Sequence, residues 1–170
     1  MSIKGVSGIA GCNQAFLNFS DNGKLIFNGR ADLCMGMSIN VVEDGVLNIG
    51  NNFFMNTCSM IRCRHRIDIG SDNMWGWNVL LMDGDGHPIF NETGQVINKN
   101  RPIRIGNNVW LGSYCKILKG SDIQDGCIVG IGSTATRKNP NSNAILAGTP
   151  AIEIKNNITW HHGGFTADDR

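Results

Sequence analysis

The chain has 170 residues, 41% of them hydrophobic, and a formal net charge of +1. That length suits one domain with a full core, and the near-neutral balance argues against nucleic acid or an anionic membrane as a main partner. No apolar run approaches a transmembrane span, and the N-terminal MSIKGVSGIAG lacks a signal pattern, so a cytoplasmic protein without stable membrane insertion is expected.

In chain order, residues 1–46 are the least regular. Phe16, Phe19, Leu25 and Phe27 alternate with polar residues around Asp21-Asn22-Gly23. They read as a strand pair or as first incomplete coils that cap an open end. Leu33, Met37, Ile39 and Val41 continue in short strands. Residues 47–87 form coils that start at Leu47-Asn-Ile-Gly50 and Ile67-Asp-Ile-Gly70, with inward positions at Met55, Ile61, Trp75 and Leu81 and with Val79 in a corner. The distance between these two starts exceeds an ideal coil and predicts a bulge near His65 to Asp68. Residues 88–102, polar and aperiodic, read as a loop extruded from the coil, and long loops on compact scaffolds carry function.

Residues 103–151 are the most regular. Ile105, Leu111, Ile117, Ile123, Val129 and Ala135 recur every six positions, and Val109, Cys115, Ser121, Cys127, Ser133 and Asn139 follow four later, mostly small. No helix has this period. It is the register of a parallel β-helix built from hexapeptides: each is a short flat strand plus a turn, and three edges close one triangular coil. The pattern itself leaves the handedness open. Residues 152–170 form a C-terminal tail, in which Ile152, Ile154 and Ile158 predict one last strand and the end is expected to be loose.

Six cysteines are present without a CxxC pair, and Cys115 and Cys127 occupy small inward positions. They read as packed, reduced thiols rather than as a disulfide framework or a zinc site.

Three places carry candidate chemistry. His87 sits where the coils give way to the extruded loop. An imidazole ordinarily titrates at about pH 6.5, so near neutrality it can take a proton as a general base. Asp85 and Asp83 are the candidates to hold its tautomer; the alternative is an ordinary surface histidine. Trp110 lies between two inward positions and therefore points outward, where a neighbouring subunit or a flat ligand ring would cover it. Arg137 and Lys138, with Lys155 one coil later, form a cluster suited to a phosphate or simply a solvated surface. Trp77 and the loop from Asn91 to Asn100 are candidates for an acceptor site, although Trp77 also suits a subunit interface.

The motifs Asp85-Gly-His-Pro-Ile89, IGNNVWLG from Ile105, ILKG from Ile117, AGTPA from Ala147 and an Ile-rich tail ending near Ile158-Thr-Trp160 resemble the hexapeptide-repeat acetyltransferases. Within them the chain is similar to the bacterial polysaccharide and sialic acid O-acetyltransferases, and more distantly to the galactoside and maltose acetyltransferases. The resemblance covers about residues 47–160. It implies an all-β, left-handed parallel β-helix, a homotrimer, acetyl-CoA as donor without a metal, and active sites between neighbouring subunits. His87 aligns with the catalytic histidine and Asp85 with the acid that often precedes it. Trp110 aligns with a cleft tryptophan. Gly112, Ser113, Gly130 and Ile131 fall on turns that contact the pantetheine arm in relatives. Thr136 and Arg137 align with a Thr-Lys pair near the nucleotide, and Lys155 with a basic residue near the phosphates. A second basic residue of some relatives is Ile152 in this sequence.

The resemblance implies direct acetyl transfer from acetyl-CoA to a sugar hydroxyl of a bacterial surface glycan, with His87 as base and no covalent enzyme intermediate. An N-acetyltransferase acting on an amino sugar would use the same base. A zinc hydratase of the γ-carbonic anhydrase type needs a His cluster, and His65, His87, His161 and His162 lack the close spacing. A purely structural solenoid explains the repeat but leaves the extruded loop, His87 and outward Trp110 unexplained.

Overall fold

Ile105, Leu111, Ile117, Ile123, Val129 and Ala135 all point inward, none more than 3% exposed. Val109, Cys115, Ser121, Cys127, Ser133 and Asn139 are buried with them at the corners. The architecture, taken from a computed structural model, is described for residues 2–4, 14–20 and 22–164. The sequence readings at Asp21, over most of the first thirteen residues and at the last six therefore lie outside the described residues.

The strands come in coils. The first holds β1 (Ser2–Lys4), β2 (Phe16–Phe19) and β3 (Lys24–Phe27). The second holds β4 (Ala31–Cys34), β5 (Ser38–Val41) and β6 (Val46–Ile49), and the third β7 (Phe53–Met55), β8 (Met60–Cys63) and β9 (Arg66–Ile69). In the fourth, β10 (Met74–Trp75) and β11 (Leu80–Met82) are separated by the extruded segment from β12 (Ile103–Ile105). β13 (Trp110–Leu111), β14 (Lys116–Leu118) and β15 (Asp122–Ile123) make the fifth. β16 (Ile128–Val129), β17 (Thr134–Ala135), β18 (Ile145–Gly148) and β19 (Ala151–Lys155) finish the stack.

Through β17 every third strand stacks on the same face, and β18 and β19 then extend the first face. The first face runs β1-β4-β7-β10-β13-β16-β18-β19, the second β17-β14-β11-β8-β5-β2 and the third β15-β12-β9-β6-β3. All pairs are parallel except β18 with β19. The corners repeat as well. Gly36, Cys58, Asn78, Tyr114 and Gly132 take positive φ between the first and second faces, and Asn52, Asp72, Asn108, Gly126 and Asn143 do so between the third and first. Asn, Asp and Gly tolerate this left-handed geometry best, which is why the turns of the repeat are rich in them.

Residues 1–46 resolve in favour of coils. β2 and β3 do not pair with each other: β2 pairs with β5 and β3 with β6. Leu17 and Phe19 stay exposed because, among the described strands, no further rung covers that end. The predicted bulge lies between β8 and β9, where the backbone N–H groups of Arg64, His65 and Arg66 all donate to the buried Asp83 carboxylate, each at 2.8 Å. Asp83 is thereby committed to the backbone and does not serve as the partner of His87.

Within the extruded segment 88–102, Phe90 and Val96 form an isolated antiparallel bridge, and the Ile97 amide donates to the Ile89 carbonyl at 2.9 Å. The segment is a small hairpin with exposed Ile89, Phe90, Val96 and Ile97. The cysteines are not uniformly reduced. Cys63, Cys115 and Cys127 are buried free thiols, whereas Cys58 is disulfide-bonded. Spacing missed it because a disulfide needs proximity across the chain rather than a local motif.

Candidate active site

His87 follows β11, where the chain leaves the solenoid at the corner between the second and third faces. It is exposed on a cavity of about 320 Å³ that Arg64, Asp85, Lys99 and Asn98 help to line. Asn98 holds this turn from the returning arm of the hairpin. Its Nδ2 donates to the His87 carbonyl at 2.8 Å and to Asp85 Oδ2 at 2.9 Å, while its Oδ1 accepts from the Ile89 amide at 2.7 Å. The Asn98 carbonyl in turn accepts from Lys119 Nζ at 3.1 Å. The carboxylate of Asp85 is thus taken by Asn98 and by an ion pair with Lys119. Hydrogen bonds from Lys119 and then Asn98 hold its carboxyl below the usual carboxylate range. Asn98 and Lys119 escaped the sequence reading; an amide and a lysine in polar surroundings carry no spacing signal.

The second part of the site lies on the first face. Trp110, Gly112, Ser113, Gly130 and Ile131 line one largely apolar cleft of about 460 Å³, joined by Phe54, Met74 and Trp77. The geometry follows from the rungs. Met74, Trp110 and Ile128 are register neighbours that face outward on β10, β13 and β16. The turns after these strands stack Trp77, Ser113 and Ile131 at the first corner, where the Trp77 amide donates to Ser113 Oγ at 3.1 Å. A Cβ on Gly112 would lie 2.7 Å from the Ile131 amide nitrogen, so glycine there lets adjacent rungs approach. A Cβ on Gly130 would make only ordinary contacts, with Ala147 Cβ at 3.4 Å, the Leu146 carbonyl oxygen at 3.5 Å and Ser133 Oγ at 3.6 Å, and that position lines the cleft. Trp110 points outward as expected and is 39% exposed. Part of its cover comes from the same chain: Trp160 packs on it with ring centroids 5.9 Å apart.

The remaining predicted residues are not brought together. Thr136 is half-buried just past β17. Arg137 lines a separate cavity of about 300 Å³ with Lys138, Ile152 and Glu153, and Lys138 Nζ lies 3.7 Å from Asp122 Oδ2. Lys155 pairs with Ile145 on the first face, in the same register column as Ile128 and Trp110. It sits three strand spacings from Trp110, roughly 14 Å. The cluster of Arg137 with Lys155 fails because β19 reverses direction instead of adding another parallel rung.

His87 and the first-face cleft therefore occupy different corners of one prism, and no residue lines both cavities. A full edge, about six residues or roughly 20 Å of extended chain, separates them. Among the described residues no cluster of His, Cys, Asp or Glu has metal-binding geometry, and no helix is long and apolar enough to cross a membrane.

Residues 102–136 match the family described as bacterial transferase hexapeptide (six repeats). The galactoside O-acetyltransferase of Escherichia coli (strain K12) is 36% identical over 114 residues, covering 64% of this chain and 53% of that protein. A polysialic acid O-acetyltransferase of Escherichia coli O1:K1 / APEC is 40% identical over 95 residues, covering 55% of this chain and 31% of that protein. The chain thus spans about half or less of the length of these relatives. Among solved structures, the polySia specific acetyltransferase NeuO superposes with a TM-score of 0.76 at 24% identity, over 98% of this chain and 91% of that one, and establishes the shared fold. A galactoside acetyltransferase in complex with coenzyme A superposes with a TM-score of 0.65 at 30% identity, over 77% of this chain and 64% of that one. The chain carries a hexapeptide-repeat domain on the left-handed β-helix fold, and its relatives are acetyltransferases, among them polysialic acid O-acetyltransferases.

Proposed function

We propose that the protein is an acetyl-CoA-dependent O-acetyltransferase that acetylates a sugar hydroxyl of a bacterial surface glycan. The observation that carries this reading is the gathering of Trp110, Gly112, Ser113, Gly130 and Ile131 on one apolar cleft of about 460 Å³, on a fold shared with a relative whose structure contains coenzyme A. Acetyl-CoA supplies an activated thioester. Trp110 and Ile131 offer apolar surface to the pantetheine arm, and the turns at Ser113 and Ile131 offer backbone polar groups. Lys155, farther along the same face, and Arg137 provide positive charge for the phosphates.

His87 acts as the general base. Its free ring nitrogen takes the proton of the sugar hydroxyl as that oxygen bonds to the thioester carbon. As the carbon–sulfur bond breaks, the imidazolium gives that proton to the departing thiolate, so that the free thiol leaves and the neutral ring is restored. A backbone N–H of a cleft turn stabilises the negative charge developing on the carbonyl oxygen. Asp85 and Lys119 act with Asn98 to fix the turn that presents the ring. Because His87 and the cleft lie at different corners, the reading requires a second copy, so that one chain's imidazole faces the neighbour's cleft in a homotrimer. The exposed Ile89, Phe90, Val96 and Ile97 of the hairpin supply apolar surface for that contact.

The test is His87→Ala assayed with acetyl-CoA and a panel of glycans. Loss of general base help lowers turnover by roughly 10² to 10⁴, while circular dichroism and assembly state stay those of the wild type. Near-normal turnover on an accepted glycan would remove His87 from this role.

A further inference from the structure

The C-terminal segment past β19 does not hang loose over its described length. It runs back down the corner between the third and first faces, along the row of left-handed turn residues. There the Ile158 amide donates to the Asn143 carbonyl at 3.0 Å. Trp160 Nε1 donates to the Asn108 carbonyl at 2.8 Å. His162 Nε2 lies 2.9 Å from the Asp72 carbonyl, and since a carbonyl only accepts, that nitrogen carries the proton. Asn143, Asn108 and Asp72 all have positive φ. The solenoid's own geometry thus provides a row of outward carbonyls, and the segment uses three of them as a docking rail.

What the rail holds is aromatic. The ring centroids of His162 and Trp160 are 5.0 Å apart, and those of Trp160 and Trp110 are 5.9 Å apart. Trp160 approaches Trp110 from the third-face corner, beside Asn108. The cleft lies on the opposite side, toward Gly112 and Ser113, and Trp160 does not line it. An exposed tryptophan on a flat β-face has several open rotamers. Trp160 fills the space into which the indole of Trp110 would otherwise swing.

We infer that residues 156–164 are a strap that completes the donor cleft, with Trp160 as a positioning residue that fixes Trp110 as its wall and His162 as the pin that holds Trp160. This rests on the reading of the cleft as the coenzyme A site, and the test separates the two. Two measurements on the full chain suffice: exciton-coupled circular dichroism of the Trp110–Trp160 pair, and coenzyme A binding by calorimetry, for the wild type, Trp160→Ala, Trp160→Phe and His162→Ala. A docked strap predicts a couplet in the wild type that disappears in both Trp160 variants. A wild type without that couplet overturns the strap whether or not coenzyme A binds. For binding, Trp160→Ala is expected to weaken coenzyme A about five- to tenfold, the scale of one aromatic pair, with Trp160→Phe restoring most of it. In turnover the same change raises KM for the donor and leaves kcat near the wild-type value, because Trp160 supports the cleft wall and does not line the cleft itself. Wild-type binding of coenzyme A by Trp160→Ala overturns the positioning role. Should the wild type fail to bind coenzyme A, the donor reading and the positioning role both fall, and the couplet alone reports whether the strap docks.

Discussion

Around His87 three side chains hold one short turn. Asn98 bonds the His87 carbonyl, the Ile89 amide and the Asp85 carboxylate, and Asp85 is tied to Lys119 as well. The sequence made Asp85 legible as an acid near His87 but not its partner: a lysine that arrives from the next coil, |i−j| = 34, leaves no local trace. The pair has a defined pH behaviour. Lys119 and then Asn98 lower the Asp85 carboxyl below its usual range. A depressed carboxylate stabilises the folded turn above its unfolded pKa, about 3.9, and that contribution is lost only as pH falls through the lower folded value. The protection of the Ile89 and Arg101 amides, taken as exchange relative to the intrinsic rate at each pH, is therefore expected to stay constant from neutrality to about pH 4 and to fall only in stronger acid. Asp85→Asn should remove that acid step. A step that survives in Asp85→Asn would assign it to another group. Asp83 shows the limit of reading from position. It stands as near to His87 in sequence as an orienting acid would, yet it is buried and caps three amides of the bulge.

At the scale of the rung, inward positions were legible because burial on a flat strand imposes a strict period, and Trp75 and Leu81 obey it as closely as the regular repeat does. The antiparallel return of β19 was not legible, since Ile152 and Ile154 carry a strand's alternation whichever way the strand runs. The two cleft glycines separate stacking from ligand contact. Gly112→Ala places a methyl 2.7 Å from backbone of the next rung and is expected to cost about 1–3 kcal/mol in denaturant melts. Gly130→Ala meets the Ala147 methyl at 3.4 Å, the Leu146 carbonyl oxygen at 3.5 Å and Ser133 Oγ at 3.6 Å, all ordinary van der Waals contacts, so stability is expected to change by less than about 0.5 kcal/mol, while the narrowed cleft weakens coenzyme A. Equal destabilisation by both would show that the rungs, and not the cleft, account for Gly130.

The whole molecule divides its chemistry between corners. Hexapeptide periodicity announced the solenoid, and the motifs pointed to both halves of the proposed site. The strap was hidden, because Trp160 and Asn108 are brought together across 52 positions with no repeat linking them. The separation of His87 from the cleft makes a claim about assembly, and mixing variants tests it most directly. His87→Ala lacks the base, and Gly130→Phe fills the cleft; each alone is expected to be inactive. Refolded together from equal amounts, they should recover roughly a quarter of the wild-type rate, since one interface in four joins an intact imidazole to an intact cleft. A mixture as inactive as its components, with mixed assembly verified, would show that each chain uses its own histidine and cleft, and would contradict the account.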